Sequence, residues 1–232
     1  MKVFRKITAF MLIFVGLGTL IILNLFILAC GGIKSVFKDK MLKYTVVLDA
    51  GHGGIDVGAS GGTTGVNESD LNLEICKELQ NVFEENGFIV VMTRNDQNGL
   101  YGDTSKGFKM RDLNRRLEIC KNSGADVFIS IHLNSYSSSK RRGAQVFFKE
   151  GSEQGKRFAD SIQTELNLLK ESKRMYDAIS GDYYLLNECN ITAVIVECGF
   201  LSNPEEENLL LDGNYRKKLA KSIFLGTLRY FS

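Results

Sequence analysis

Short apolar runs alternate with segments of helical periodicity along most of the chain. Runs of five to seven residues, rich in β-branched and aromatic side chains, predict buried strands at Thr45–Asp49, Phe88–Met92, Asp126–His132, Ala144–Phe148 and Ala193–Glu197. Apolar residues at helical spacing predict helices at Leu71–Phe83, Arg111–Lys121 and Glu153–Leu169, and one or two more within Asn208–Phe231. This alternation predicts an α/β fold, with a mostly parallel central sheet covered by helices on both faces. In such sheets, ligands bind beyond the carboxyl ends of the strands.

The first 43 residues have a different pattern. Residues 7–29 contain no charged side chain, and as one helix they would extend ~35 Å, enough to cross a ~30 Å hydrocarbon core. We therefore expect an N-terminal transmembrane or signal helix with a basic linker to Lys43, followed by one domain over residues 44–232. An uncleaved anchor, a cleaved signal peptide and a lipoprotein signal ending at Cys30 are all open.

The charge is distributed unevenly between these two parts. Residues 1–43 carry seven basic side chains and one acidic one, a local net charge of +6, although the whole chain has a net charge of +2. Residues 44–232 therefore have a net charge of −4. A domain of this charge is a poor general binder of nucleic acid, whereas the basic surplus around the apolar run suits a membrane surface.

The cysteines give no sign of a metal site. The five of them are Cys30, Cys76, Cys120, Cys189 and Cys198, with no CxxC pair and no metal-like spacing. Cys76 and Cys120 fall on apolar faces of predicted helices, where buried thiols are common. We expect structural or free thiols at all five positions.

Candidate chemistry lies at three predicted strand ends. The chain has two histidines: His52 follows the strand that ends at Asp49, and His132 ends the strand that begins at Asp126. Two imidazoles at one sheet edge favour a transition metal, most plausibly zinc, whose catalytic sites usually take three protein ligands. The spacing leaves the third ligand open among Asp49, Asp56, Glu68, Asp70 and Glu197. The alternative is that His52 is a loop residue and His132 a hydrogen-bonded core histidine.

Glu197 is a candidate for a second reason. It follows four apolar residues, so its carboxylate is expected to be shielded from water, where an unpaired charge costs several kcal/mol. Beside a metal-bound water, such a carboxylate can act as a proton shuttle. The alternative is a strand-end residue that pairs with an arginine.

Three sequence blocks resemble a known family. DAGHGGIDVGA at Asp49–Ala59, SIHLN at Ser130–Asn134 and VECGFLSN at Val196–Asn203 are similar to the DPGHGGxDxGA, SxHxN and E-x-GFLSN signatures of the zinc-dependent N-acetylmuramoyl-L-alanine amidases of the amidase_3 type. The blocks occur in the family's order. Ala50 replaces the usual proline and Cys198 the common valine, and neither is a proposed ligand.

The resemblance implies a fold, a cofactor and a reaction. It implies a Zn²⁺ ion held by His52, Glu68 and His132, with Glu197 as the catalytic glutamate. The reaction would be hydrolysis of the amide between the lactyl group of N-acetylmuramic acid and L-alanine of the peptidoglycan stem peptide. A TSKGF insertion at Thr104–Phe108 also resembles the short germination-specific, spore-cortex amidases, which implies the first step of muramic-δ-lactam formation.

The expected location and partners combine this resemblance with the charge distribution and the N-terminal apolar segment. The domain is expected outside the cytoplasm, membrane-anchored or secreted to the cell wall or spore cortex. Its expected partners are peptidoglycan, the membrane through the N-terminal segment, and an accessory protein that helps to bind zinc or substrate; nucleic acid is not expected. Two alternatives are a non-catalytic wall-binding module and a zinc carboxypeptidase that acts within the stem peptide.

Overall fold

A six-stranded sheet forms the centre of the computed structural model, which describes residues 44–172 and 174–232. The strands are β1 (Thr45–Ala50), β2 (Ile89–Met92), β3 (Val127–Asn134), β4 (Gln145–Phe148), β5 (Ile179–Ser180) and β6 (Thr192–Phe200). The helices are α1 (Glu68–Glu85), α2 (Phe108–Ser123), α3 (Glu153–Asn167), α4 (Tyr184–Glu188), α5 (Pro204–Leu211) and α6 (Gly213–Phe231), with a 3₁₀ turn at Lys170–Ser172.

The sheet is mixed, although most of its pairings are parallel. The strand order is β2-β1-β3-β6-β4-β5, and β4 runs antiparallel to β6 while the other neighbouring pairs are parallel. The predicted α/β fold is therefore confirmed, with β4 and its parallel neighbour β5 reversed relative to the other four strands. The reversal has a local cause, because residues 135–144 contain no helix that could return the chain to the opposite edge for a parallel strand.

Helices cover both faces of the sheet, as the continuous apolar strands predicted. On one face, Val47, Phe128 and Ile195 of the strands pack with Cys120 of α2 and with the leucines of α4. On the other face, α6 contacts both α1 and α3, and α1 and α3 contact the strands. The central strands are therefore shielded from water on both sides, and chemistry is confined to their ends.

The element bounds differ from the predicted ones where local chemistry decides them. Helix α5 begins at Pro204, because the Asn203 side chain accepts hydrogen bonds from the backbone N–H groups of Glu205 and Glu206. The two-residue strand β5 and the five-residue helix α4 were not predicted, since segments of that length carry no usable periodicity.

The predicted N-terminal transmembrane or signal helix at residues 7–29, and the linker to Lys43, lie outside the described residues. Within residues 44–172 and 174–232, no helix combines the length and apolar character needed to span a bilayer.

Candidate metal centre and active site

Three neighbouring strands end at the same edge of the sheet and bring the predicted site residues together. His132 of β3 lies beside Glu197 of β6 in the strand register, and the Gly51 N–H after β1 donates to the Ile131 carbonyl at 3.0 Å. His52 follows Gly51 directly. Because side chains alternate along a strand, His132 and Glu197 point to the same face of the sheet.

His52, Glu68 and His132 form one cluster at this edge. Glu68 Oε1 lies 3.2 Å from His52 Nε2 and 2.9 Å from His132 Nδ1. One ligand atom from each of the three residues falls within 4.8 Å of the others, and the two imidazole ring centroids are 4.9 Å apart. Glu68 belongs to the first turn of α1 and is buried, so the helix delivers its carboxylate to the strand ends.

The contacts of the acidic side chains distinguish Glu68 from Asp49, Asp56 and Asp70 as the third ligand candidate. Asp56 Oδ2 accepts from His52 Nδ1 at 3.0 Å, on the side of the ring away from Glu68. Asp49 is fully buried in a salt bridge with Arg116, and Asp70 accepts from Asn67. A carboxylate on the outer nitrogen of a ligating histidine fixes the ring's orientation, which is the position that Asp56 occupies.

Backbone geometry brings the loop after β1 close to these side chains. His52 has φ 62°, and among the described residues it is the one non-glycine residue with positive φ, a conformation that costs energy and that persists at functional sites. A Cβ atom on Gly51 would lie 2.4 Å from His132 Nε2, and one on Gly58 would lie 2.5 Å from Glu68 Oε2. Glycine at these two positions therefore makes room for two of the clustered side chains.

A buried arginine beneath the cluster was missed by the sequence analysis. Arg116 of α2 donates to Asp49 Oδ1 at 2.6 Å, to Asp112 Oδ2 at 2.6 Å and to the His52 carbonyl at 2.6 Å. Its side chain is 2% exposed. A signal was present, because Arg116 lies four residues after Asp112 and on the same helical face as the apolar Leu113 and Cys120.

This arginine stabilises the charged form of Asp49. Burial alone would raise the pKa of the Asp49 carboxyl, but the Arg116 guanidinium and hydrogen bonds from Ser130 and Thr93 hold it below its ordinary value. A second buried arginine, Arg94, was also missed. It donates to the carbonyls of Ala50, Gly51 and Ser69, which ties the end of β1 to the start of α1.

The electrostatics of the cluster favour a cation. Burial lowers the pKa of His52, but hydrogen bonds with Asp56 and Glu68 outweigh it and raise that pKa to about 9. Burial would raise the pKa of Glu68, yet the two histidines hold it well below its usual range. The His52 hydrogen bond lowers the pKa of Asp56 to about 2. The carboxylates of Asp56 and Glu68 therefore stabilise positive charge at His52, which lies between them.

Glu197 lies beside this cluster, with the shielding that its sequence context predicted. It is 9% exposed, and its Oε2 has no hydrogen-bond partner among the described residues. Burial raises the pKa of its carboxyl to about 7, and the nearby charges of His132, Glu68 and His52 act on it more weakly. The charges that act on Glu197 are those of His132, Glu68 and His52, and no arginine of the described residues is among them, so the pairing with an arginine considered as an alternative is not supported.

A cavity of about 210 Å³ is lined by His52 and His132 and by residues of two helices, α2 and α4. Its walls include Lys109, Leu113 and Arg116 of α2 and Leu185 of α4. A larger cavity, of about 680 Å³, lies near the amino ends of β3 and β6 and contains none of the clustered residues.

Residues 46–229 match the family model described as N-acetylmuramoyl-L-alanine amidase. The chain belongs to this amidase family. The matched range includes His52, Glu68, His132 and Glu197. The hydrolase class indicated by the three sequence blocks is confirmed.

Individual amidases show how far the likeness extends. The chain is 38% identical over 191 residues to the germination-specific N-acetylmuramoyl-L-alanine amidase of Bacillus subtilis, covering 81% of this chain and 79% of that protein. It is 31% identical to the probable cell wall amidase LytH of Staphylococcus aureus, and the match spans 84% of this chain but only 61% of LytH. The CwlD amidase from Clostridioides difficile, solved in complex with the GerS lipoprotein, is similar with a TM-score of 0.77 and 39% identity, over 81% of this chain and 98% of that one.

Proposed function

We propose that this chain is a zinc-dependent N-acetylmuramoyl-L-alanine amidase, which hydrolyses the amide between the lactyl group of N-acetylmuramic acid and L-alanine of the stem peptide. The observation that carries the proposal is the convergence of His52, Glu68 and His132 beside the buried carboxylate of Glu197. Membership of the amidase family supplies the reaction class.

The donor set fits zinc. Two imidazoles and one carboxylate make up a typical catalytic zinc site, and their ligand atoms lie within 4.8 Å of one another. Asp56 would orient His52 from behind, and Arg116 would hold the His52 backbone through its carbonyl. When bound, zinc supplies a Lewis acid that lowers the pKa of water and polarises a carbonyl.

Glu197 would move the proton. Its carboxylate accepts a proton from the attacking water and donates it to the departing amine of L-alanine, which is a poor leaving group without protonation. Burial raises the pKa of this carboxyl in the metal-free site, and a pKa raised toward neutrality suits a group that both accepts and donates a proton. The unpartnered Oε2 leaves an acceptor free for this role.

The setting proposed for this activity is the bacterial wall, outside the cytoplasm. The germination-specific relative from Bacillus subtilis favours the spore cortex, where removal of the stem peptide would be the first step toward muramic-δ-lactam. Residues 1–43 would anchor the domain to the membrane or direct its export, since the apolar stretch at 7–29 is long enough to span the bilayer.

An accessory protein is proposed as a partner. The similar CwlD amidase was solved with a lipoprotein bound, and recruitment of an amidase to its substrate is one role that such a partner can have. A protein at the membrane surface could supply that recruitment or help the domain to retain zinc.

Digestion of peptidoglycan by the full-length chain tests the proposal, with and without added zinc and with a chelator. We expect stoichiometric zinc in the active protein and release of intact stem peptides, identified by mass spectrometry. Shortened stem peptides would instead identify a carboxypeptidase, and wall binding without products would identify a binding module. Cleavage that persists in a metal-free protein would overturn the zinc mechanism.

A further inference from the structure

Two cysteines that are distant in sequence meet near the C-terminal end of α2, where this helix packs against α4 and the sheet. Cys120 Sγ, near the end of α2, lies 3.6 Å from Cys189 Sγ, in the residue that follows α4. They are 69 positions apart in the chain. A disulfide has an S–S length near 2.05 Å, so the two sulfurs would have to approach by about 1.5 Å to be joined.

We propose that Cys120 and Cys189 form a redox-active dithiol, which a small-molecule or protein disulfide oxidises to an intramolecular disulfide linking α2 to the α4–β6 connection. The proposal rests on the extracytoplasmic location given under the proposed function, because disulfides persist in oxidising compartments. The other described thiols, Cys76 and Cys198, are fully buried and lie outside the pair.

The two thiols are unequal, which assigns them different roles. Cys189 is partly exposed and, with Lys149, lines the cavity of about 680 Å³. Cys120 is 3% exposed and packs among the apolar side chains between α2, α4 and the sheet. The hydrogen bond between the sulfurs lowers the pKa of the Cys189 thiol and raises that of Cys120. Cys189 is therefore the attacking thiolate and Cys120 the resolving thiol.

The exchange balances in two steps. The Cys189 thiolate attacks one sulfur of the oxidant disulfide, so that the oxidant's S–S bond breaks and a mixed disulfide forms on Cys189. Cys120 loses its proton and attacks Cys189 Sγ, which releases the second oxidant sulfur. Two thiols of the protein are oxidised, one disulfide of the oxidant is reduced to two thiols, and those thiols carry away both protons.

The disulfide would join two helices whose side chains line the cavity at His52 and His132. Helix α2 carries Arg116 and helix α4 carries Leu185, and both side chains line the cavity at His52 and His132. Joining residues 69 positions apart constrains the unfolded chain, so we expect oxidation to raise Tm by on the order of 5–10 °C.

Thiol mapping tests the proposal in the full-length chain carrying Cys30→Ser, which removes the one cysteine outside the described residues. The folded protein is equilibrated with glutathione disulfide, denatured in acid, labelled with a maleimide and digested. We expect a linked peptide pair that contains Cys120 and Cys189, with the maleimide on Cys76 and Cys198. A reductant should abolish both the linked pair and the gain in Tm.

Single variants test the division of roles. In Cys120→Ala, Cys189 should retain glutathione as a stable mixed disulfide, whereas in Cys189→Ala the buried Cys120 should stay unmodified; Cys76→Ala is the control that still forms the link. Full maleimide labelling of the parent protein after oxidation, or equal glutathione uptake by both variants, would overturn the proposal. Thiol state is read without substrate, so a linked but inactive protein would count against the proposed amidase function alone.

Discussion

Replacing Arg116 with methionine should destabilise the domain far more than an arginine-to-methionine change normally does. The substitution keeps a long side chain but removes a guanidinium that is buried against Asp49 and Asp112 and that donates to the His52 carbonyl. Asp49 is fully buried and would be left charged without its cation. Removing one partner of a buried ion pair costs about 3–5 kcal/mol.

The neighbouring residue supplies a matched control. Arg115 pairs with Glu118 on the helix surface, and both side chains are 54% exposed. Exposed pairs contribute about 1 kcal/mol or less, so Arg115→Met should change stability little. For a urea m-value of about 2 kcal/mol/M, the unfolding midpoint should fall by roughly 1.5–2.5 M in Arg116→Met and by under roughly 0.5 M in Arg115→Met.

Urea unfolding followed by circular dichroism measures both variants, and zinc analysis of each folded protein measures the effect on the cluster. Adding Asp49→Asn to Arg116→Met should recover part of the loss, since the orphaned charge disappears, and the two changes should be non-additive by about 1 kcal/mol or more. Equal midpoints for the two arginine variants, or strict additivity in the double variant, would refute the reasoning about the buried pair.

Three further predictions address the cluster. Glu197→Gln should keep the fold and bound zinc but lower turnover of muropeptides by about 10²–10⁴-fold, and unchanged turnover would show that Glu197 moves no proton. Gly51→Ala places a Cβ 2.4 Å from His132 Nε2 and should lower zinc affinity in a metal titration, whereas Gly62→Ala meets no atom within 4 Å and should match the parent. Because the folded pKa of Asp49 lies below its unfolded value of 3.8, its stabilising effect is complete above that pH and is lost as pH falls further. Asp49→Asn should therefore flatten the acid side of a stability profile measured by urea unfolding between about pH 2 and 5, and parallel profiles over that range would contradict this assignment.

The strands and the convergence of chemistry were predictable because each depends on local signals. The apolar runs that became β1, β3 and β6 are buried almost throughout, as strands covered on both faces must be. The rule that strand ends meet at one edge then brought His52, His132 and Glu197 together. Spacing alone could not choose Glu68, since it belongs to a helix whose approach to the sheet depends on tertiary packing.

What the sequence analysis missed was decided by long-range contacts. Arg116 belongs to a helix, and a charged helical residue is normally interpreted as exposed, so its burial against Asp49 depends on a partner 67 positions away. The direction of β4 depends on a connection too short for a crossover helix. Leu185 of helix α4 lines the cavity at His52 and His132, yet five residues are too few to show periodicity.

The reversal of β4 has a consequence for how this architecture can diversify. Strand β3 ends and β4 begins at the sheet edge that carries His132 and Glu197. The connection across residues 135–144 therefore starts and finishes beside these two side chains. Extra residues inserted there would build a rim around the entrance without altering any strand pairing. Lengthening this connection would therefore change which ligands reach the cavity, while His52, Glu68 and His132 keep their positions.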